Sequence, residues 1–147
     1  MSYRLERLLD LASYEQKRRA ELYAASLQEA RLRKERYEQE VKGLQALLDT
    51  MQENAIAGMP LSVYQAYVAH AWGIKDQLLE LKREADVAHV RMQQSEKALY
   101  EQRTEKQKYE QLKERWKIEE RRLDRLQEQH ALDEVALTKH QRHRYPI

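Results

Sequence analysis

The stretch Ala55-Ile56-Ala57-Gly58-Met59-Pro60-Leu61-Ser62-Val63-Tyr64-Gln65 decides the fold of this 147-residue chain. Gly58 can adopt the left-handed conformation that ends a helix. Pro60 lacks an N–H and has a fixed φ, so a helix arriving from the N-terminal side cannot pass through it. A second helix can begin at once, because Ser62 to Gln65 fits a capping box in which Ser62 accepts from the third helical N–H and Gln65 reaches back.

Apolar residues run in steps of three and four on both sides of this turn. Upstream the series is Ala20, Tyr23, Leu27, Ala30, Lys34, Tyr37, Val41, Leu44, Leu48, Met51 and Ala55, with only Lys34 polar. Downstream it is Tyr64, Tyr67, Ala71, Ile74, Leu78, Leu81, Ala85, Ala88, Met92, Ser95 and Leu99, with only Ser95 polar. Steps averaging about 3.5 residues keep one stripe facing a partner helix. The expected fold is all-α, a single long two-helix antiparallel coiled-coil hairpin over 1–147 whose second helix is the longer. Helix one is placed at about 3–55, the turn at 56–61, helix two at about 62–140 and a disordered tail at 141–147. At ~1.5 Å per residue the helices would measure roughly 80 and 118 Å.

An antiparallel pair predicts facing residues. Ala55 with Tyr64, Leu48 with Ala71, Val41 with Leu78, Leu27 with Met92 and Ala20 with Leu99 form one set. Met51 with Tyr67, Leu44 with Ile74, Tyr37 with Leu81 and Ala30 with Ala88 form the other. Lys34 would then cover Ala85 with its methylene stem. Gly43 and Gly73 fall near one level, each costing about 1 kcal/mol relative to Ala, and read either as a close backbone approach or as a paired soft point. At the base Gln16 would face Gln102, and Arg19 would lie near Glu101 and Lys106. Below them a phase shift would bring Leu5, Leu8, Leu9 and Ala12 against Tyr109, Leu112 and Trp116. About the last 25 residues of helix two then lack a partner within the chain. Leu123, Leu126, Val135, Ala136 and Leu137 still supply an amphipathic surface there, which implies a partner outside the hairpin or self-association.

Composition excludes other classes. The chain is 35% charged with three Gly, two Pro and no Phe, and its mean hydropathy of −0.97 suits a coiled coil. A hairpin that buries only a seam cannot enclose a substrate pocket of the usual ~300 to 1,000 Å³, so no enzymatic activity and no cofactor are expected. The absence of Cys removes disulfides and thiolate chemistry. No run approaches the ~18 apolar residues of a membrane span and no signal peptide is visible, so a soluble cytoplasmic protein is expected. The 27 basic and 25 acidic residues are interleaved, which argues against a phosphate-binding stripe and hence against nucleic acid as a partner. His140 and His143 have metal-compatible spacing without supporting carboxylates or thiolates, so no metal site is expected.

Three stretches carry a family resemblance: Tyr3-Arg4-Leu5-Glu6-Arg7-Leu8-Leu9-Asp10-Leu11 with Glu15, Ala20 and Leu22; Gly58 to Tyr67; and Lys108 to Arg115 with Glu119-Glu120 and Asp133 to Ala136 downstream. Together they resemble the FliJ family of the bacterial flagellar type III export apparatus. The resemblance implies a non-enzymatic stalk in flagellum biogenesis, type III protein export and motility. Such a stalk inserts helical ends into the hexameric flagellar export ATPase, promotes its hexamerisation and links it to the cytoplasmic domain of the export gate protein FlhA. Export chaperones are further partners, and the location implied is the cytoplasmic face of the inner membrane, reached through partners only. The equivalent stalk of a virulence type III system shares the architecture, and a plain coiled-coil scaffold is the other alternative. The ATPase-binding surface would comprise Arg4, Arg7, Lys17, Arg18 and Arg19 with Arg121, Arg122, Leu123, Arg125 and Leu126. The gate-binding surface would comprise Tyr67, Ala71, Ile74 and Leu78 by position, with the neighbours Gln65, Val68 and Trp72.

Overall fold

The computed structural model describes residues 2–144 and contains two helices, α1 (Ser2–Ala57) and α2 (Leu61–Arg144), packed against each other as a helical hairpin with the second helix longer. Gly58 has φ +100° and its N–H donates to the Ala55 carbonyl at 3.4 Å, which closes α1. The start of α2 differs from the expected capping box. The Pro60 carbonyl accepts from both Val63 and Tyr64 at 3.1 Å, so Pro60 occupies the cap position and Ser62 already lies within the first turn. Proline suits this role because its carbonyl is free while its missing N–H would have had no helical partner. α2 continues past the expected 140 to Arg144, because no glycine or proline interrupts it before Pro146. Residues 145–147 of the expected disordered tail lie outside the described residues.

The chain divides into two compact units, one of residues 16–102 and one of 1–15 with 103–147. In the 16–102 unit the half-buried or buried positions of α1 are Gln16, Arg19, Tyr23, Ser26, Ala30, Arg33, Tyr37, Glu40, Leu44, Leu47 and Met51, with Ala20 and Leu27 beside them. Their counterparts on α2 are Tyr67, Ala71, Ile74, Leu78, Leu81, Ala85, Ala88, Met92, Ser95, Leu99 and Gln102. The expected α2 seam is therefore the observed one from Tyr67 onward. Of the facing pairs, Met51 with Tyr67, Leu44 with Ile74, Tyr37 with Leu81 and Ala30 with Ala88 keep both members at least half-buried, as do Leu27 with Met92 and Ala20 with Leu99.

Part of the other α1 set moves by one residue. Toward the turn Arg33, Glu40 and Leu47 take the positions that Lys34, Val41 and Leu48 were expected to hold, and those three are exposed, while nearer the base Arg19 and Ser26 are half-buried beside Ala20 and Leu27. The reason is visible at Arg33, whose Nη1 donates to Glu84 Oε2 at 2.8 Å, whereas Lys34 would have met only Ala85. Arg19 likewise donates from Nη1 to the Ala98 carbonyl at 2.8 Å. Long stems let these cations line a seam while their heads find acceptors. Toward the turn Ala55 and Tyr64 are exposed, and the hydrogen bond from Asn54 Nδ2 to Tyr67 Oη at 3.2 Å closes the pairing instead.

Small side chains mark the tightest packing. Ala30 and Ala88 are buried with Leu99, and the buried polar residue Gln102 stands at the limit of the unit. The Oε1 atom of Gln16, its counterpart, is buried without a hydrogen bond. Beyond the surrounding turns of its own helix backbone, neither Gly43 nor Gly73 has an atom within 4 Å of where a Cβ would stand, which removes the close-approach reading for both.

In the second unit Leu5, Leu9 and Glu15 are half-buried and Ala12 is buried, as are Lys106, Tyr109 and Lys113 by half on α2. These residue numbers continue the steps of three and four without a break, so the expected phase shift does not occur. Once Arg19 and Gln16 are seam positions, Ala12, Leu9 and Leu5 follow in the same series. Leu8, expected inside, is exposed.

Candidate functional site

From Glu114 to Arg142 every side chain of α2 is exposed. By the register of the seam, Ser2, the first described residue of α1, corresponds to Trp116. The segment is held as a helix by local pairs: Lys117 to Glu114 at 3.8 Å, Arg122 to Glu119 at 3.7 Å, and the Thr138 hydroxyl donating to the Glu134 carbonyl at 2.9 Å. Such exposed pairs each contribute only about 0.2–0.5 kcal/mol. The apolar stripe persists nonetheless, as Trp116, Leu123 and Leu137 succeed Tyr109 at multiples of seven and Leu112 and Leu126 flank them. A shallow groove of about 410 Å³ lies over Leu112, Trp116 and Leu123, rimmed by Arg115, Glu119 and Glu120.

The basic residues expected to meet the ATPase are placed unequally. Arg4 and Arg7 are exposed in the same unit as Arg121, Arg122, Leu123, Arg125 and Leu126, all exposed as well. Lys17, Arg18 and Arg19 belong to the other unit, where Lys17 and Arg18 are exposed and Arg19 is drawn into the seam by the Ala98 carbonyl. The Tyr109 hydroxyl donates to Glu105 Oε1 at 3.2 Å. That hydrogen bond, followed by the negative charge of Glu105 and then by burial, holds the phenol above its ordinary pKa.

The residues expected to meet the gate separate into two faces. Tyr67, Ala71, Ile74 and Leu78 are half-buried seam positions. Gln65 is exposed, Trp72 is 59% exposed, and Val68 is half-buried beside them. On a helix of 100° per residue Val68 and Trp72 share one line with Leu61, Leu79 and Val90, all three exposed and none on the seam. Lys75 Nζ stands 4.8 Å from the Trp72 ring centre, a cation–π contact on this line. Leu79 and Val90 lie outside the residues expected from the sequence to function, although their spacing with Leu61 and Trp72 is a second helical period out of phase with the seam.

No helix among the described residues is long and apolar enough to cross a membrane, and no group of three or more metal-ligating side chains occurs among them. The family described as Flagellar FliJ protein matches residues 1–145. No curated protein and no solved structure matches the chain.

Proposed function

We propose a function from one premise, that this chain belongs to the FliJ family of flagellar proteins. It is a non-enzymatic stalk and adaptor of flagellar type III export. The family match supports the flagellar system over its virulence counterpart. The observation that carries the reading further is the α2 segment from Glu114 to Arg142, an amphipathic helix whose apolar stripe is exposed among the described residues. Such a helix end suits the central hole of a hexameric ATPase. Leu123 and Leu126 would enter apolar contact, while Arg121, Arg122 and Arg125, with Arg4 and Arg7 of the same unit, would meet acidic or polar ring loops. Lys17 and Arg18 are further exposed contacts, and Arg19 serves the hairpin. Gate contacts fall to the outward line of α2 through Gln65, Val68 and Trp72, while Tyr67, Ala71, Ile74 and Leu78 hold the helices together. The protein acts in the cytoplasm and reaches the membrane through these partners, export chaperones among them.

The test is to titrate the full chain into the flagellar export ATPase of the same organism and follow hydrolysis and hexamer formation together. Stimulation of both, lost in the variant carrying Leu123→Asp and Leu126→Asp, is the expected result. An ATPase that neither binds the chain nor changes its oligomeric state leaves a structural scaffold as the function.

A further inference from the structure

The geometry points to a second copy of this chain as an occupant of the uncovered α2 stripe, docked antiparallel about Leu123 and Leu126. Such a pairing brings complementary side chains together along its length. Placing Leu123 opposite Leu126 of the second copy sets Leu112 opposite its Leu137, so these four exposed leucines cover one another in two symmetric sets. The polar interruptions also find partners. Glu119 meets His130, which can donate to a carboxylate, and Asp133 meets Trp116, whose indole N–H is a donor only. At the flank Glu120 meets Gln127 and Arg122 meets Gln129, so no like charges are opposed.

A parallel, in-register pair fails on the same residues, because Glu119 would face Glu119 and Asp133 would face Asp133. Glu119 already has Arg122 at 3.7 Å on its own helix, so in the antiparallel pair its second oxygen remains for His130. Roughly 26 residues are engaged per copy, near the ~3 to 4 heptads a coiled coil needs, and half-polar layers keep the pairing weak. Leu123 and Leu126 are covered in the dimer, so on the ring reading it is a resting form that the ATPase opens. The pairing itself does not depend on that reading.

Sedimentation equilibrium of the full chain alone tests it, with no second protein present to confuse failure here with failure of the ATPase assay. The expected mass rises from near 17.7 kDa at about 5 μM toward twice that value at about 500 μM. The variant carrying Leu123→Asp and Leu126→Asp stays monomeric with unchanged helicity, since both positions are exposed. His130→Glu, which opposes Glu119, weakens association about tenfold, and adding Glu119→Lys to the same chain restores it.

Because the chain has no cysteine, single spin labels report orientation. Labels at Arg125→Cys should lie within about 25 Å of each other, and labels at Thr138→Cys about 40 to 45 Å apart. A monomer throughout the concentration range overturns the proposal, as does association that survives the two aspartates. Short distances at both labels overturn it too, because they place the copies parallel.

Discussion

Leu99 and Leu123 sit on the same helix, are the same residue and belong to one apolar series, yet Leu99 is 5% exposed and Leu123 is 50% exposed. Nothing local distinguishes them. What differs is whether another helix lies alongside, and among the described residues none of α1 stands at the level of Leu123. Burial, and therefore stability, is a property of the pairing, while the amphipathic pattern only offers a surface for it. In the paired region that surface holds the hairpin. In the segment beyond Lys113 it stands exposed.

This contrast can be broken most directly by truncating the two leucines. Leu99→Ala should destabilise the fold by about 2–4 kcal/mol in urea denaturation, whereas Leu123→Ala should change it by less than about 0.5 kcal/mol at low protein concentration. Equal losses at the two sites would mean that the segment beyond Lys113 is covered within the chain. The next effect has the opposite sign. Gly43→Ala and Gly73→Ala should each stabilise the paired region by about 0.5–1 kcal/mol, since both sites are helical and open, and the midpoint should rise for each.

A smaller effect concerns the polar side of the seam. A double-mutant cycle on Arg33→Ala and Glu84→Ala should give a coupling of about 0.5–1 kcal/mol, reduced by salt, because both side chains keep 37% of their exposure. A coupling near zero would show that Arg33 lines the seam by packing its stem alone. The smallest effect lies close to where pairing ends. The folded state raises the Tyr109 pKa, so its contribution is complete below the ordinary tyrosine range and disappears as pH climbs through the raised value. Melting of the wild-type chain should therefore fall slightly more steeply in strong alkali than that of Tyr109→Phe, which has no proton to lose.

The sequence is most legible where chemistry and geometry agree. α2 presents apolar residues at nearly every seam position from Tyr67 to Leu99, so its stripe can be read without a structure. α1 misleads toward the turn because the inward positions Arg33 and Glu40 are polar while the exposed Val41 beside them is apolar. A search for apolar periodicity settles on the neighbours, one residue out of phase, and then needs a phase shift at the base that does not exist. The outward line through Leu61, Val68, Trp72, Leu79 and Val90 escapes for a related reason, since one strong seam accounts for so much of the pattern that a second passes unseen.

The residues alone determined that the chain is two helices joined at Gly58 and Pro60, because positive φ and a missing N–H are local properties that no distant contact supplies. They also determined that the second helix outruns the first, since that is a matter of counting outward from the turn. Which of two adjacent rows on α1 faces inward was decided only by the tertiary pairing. A one-residue rotation costs little in local terms, and it is selected by acceptors such as Glu84 and the Ala98 carbonyl that only the partner helix brings within reach.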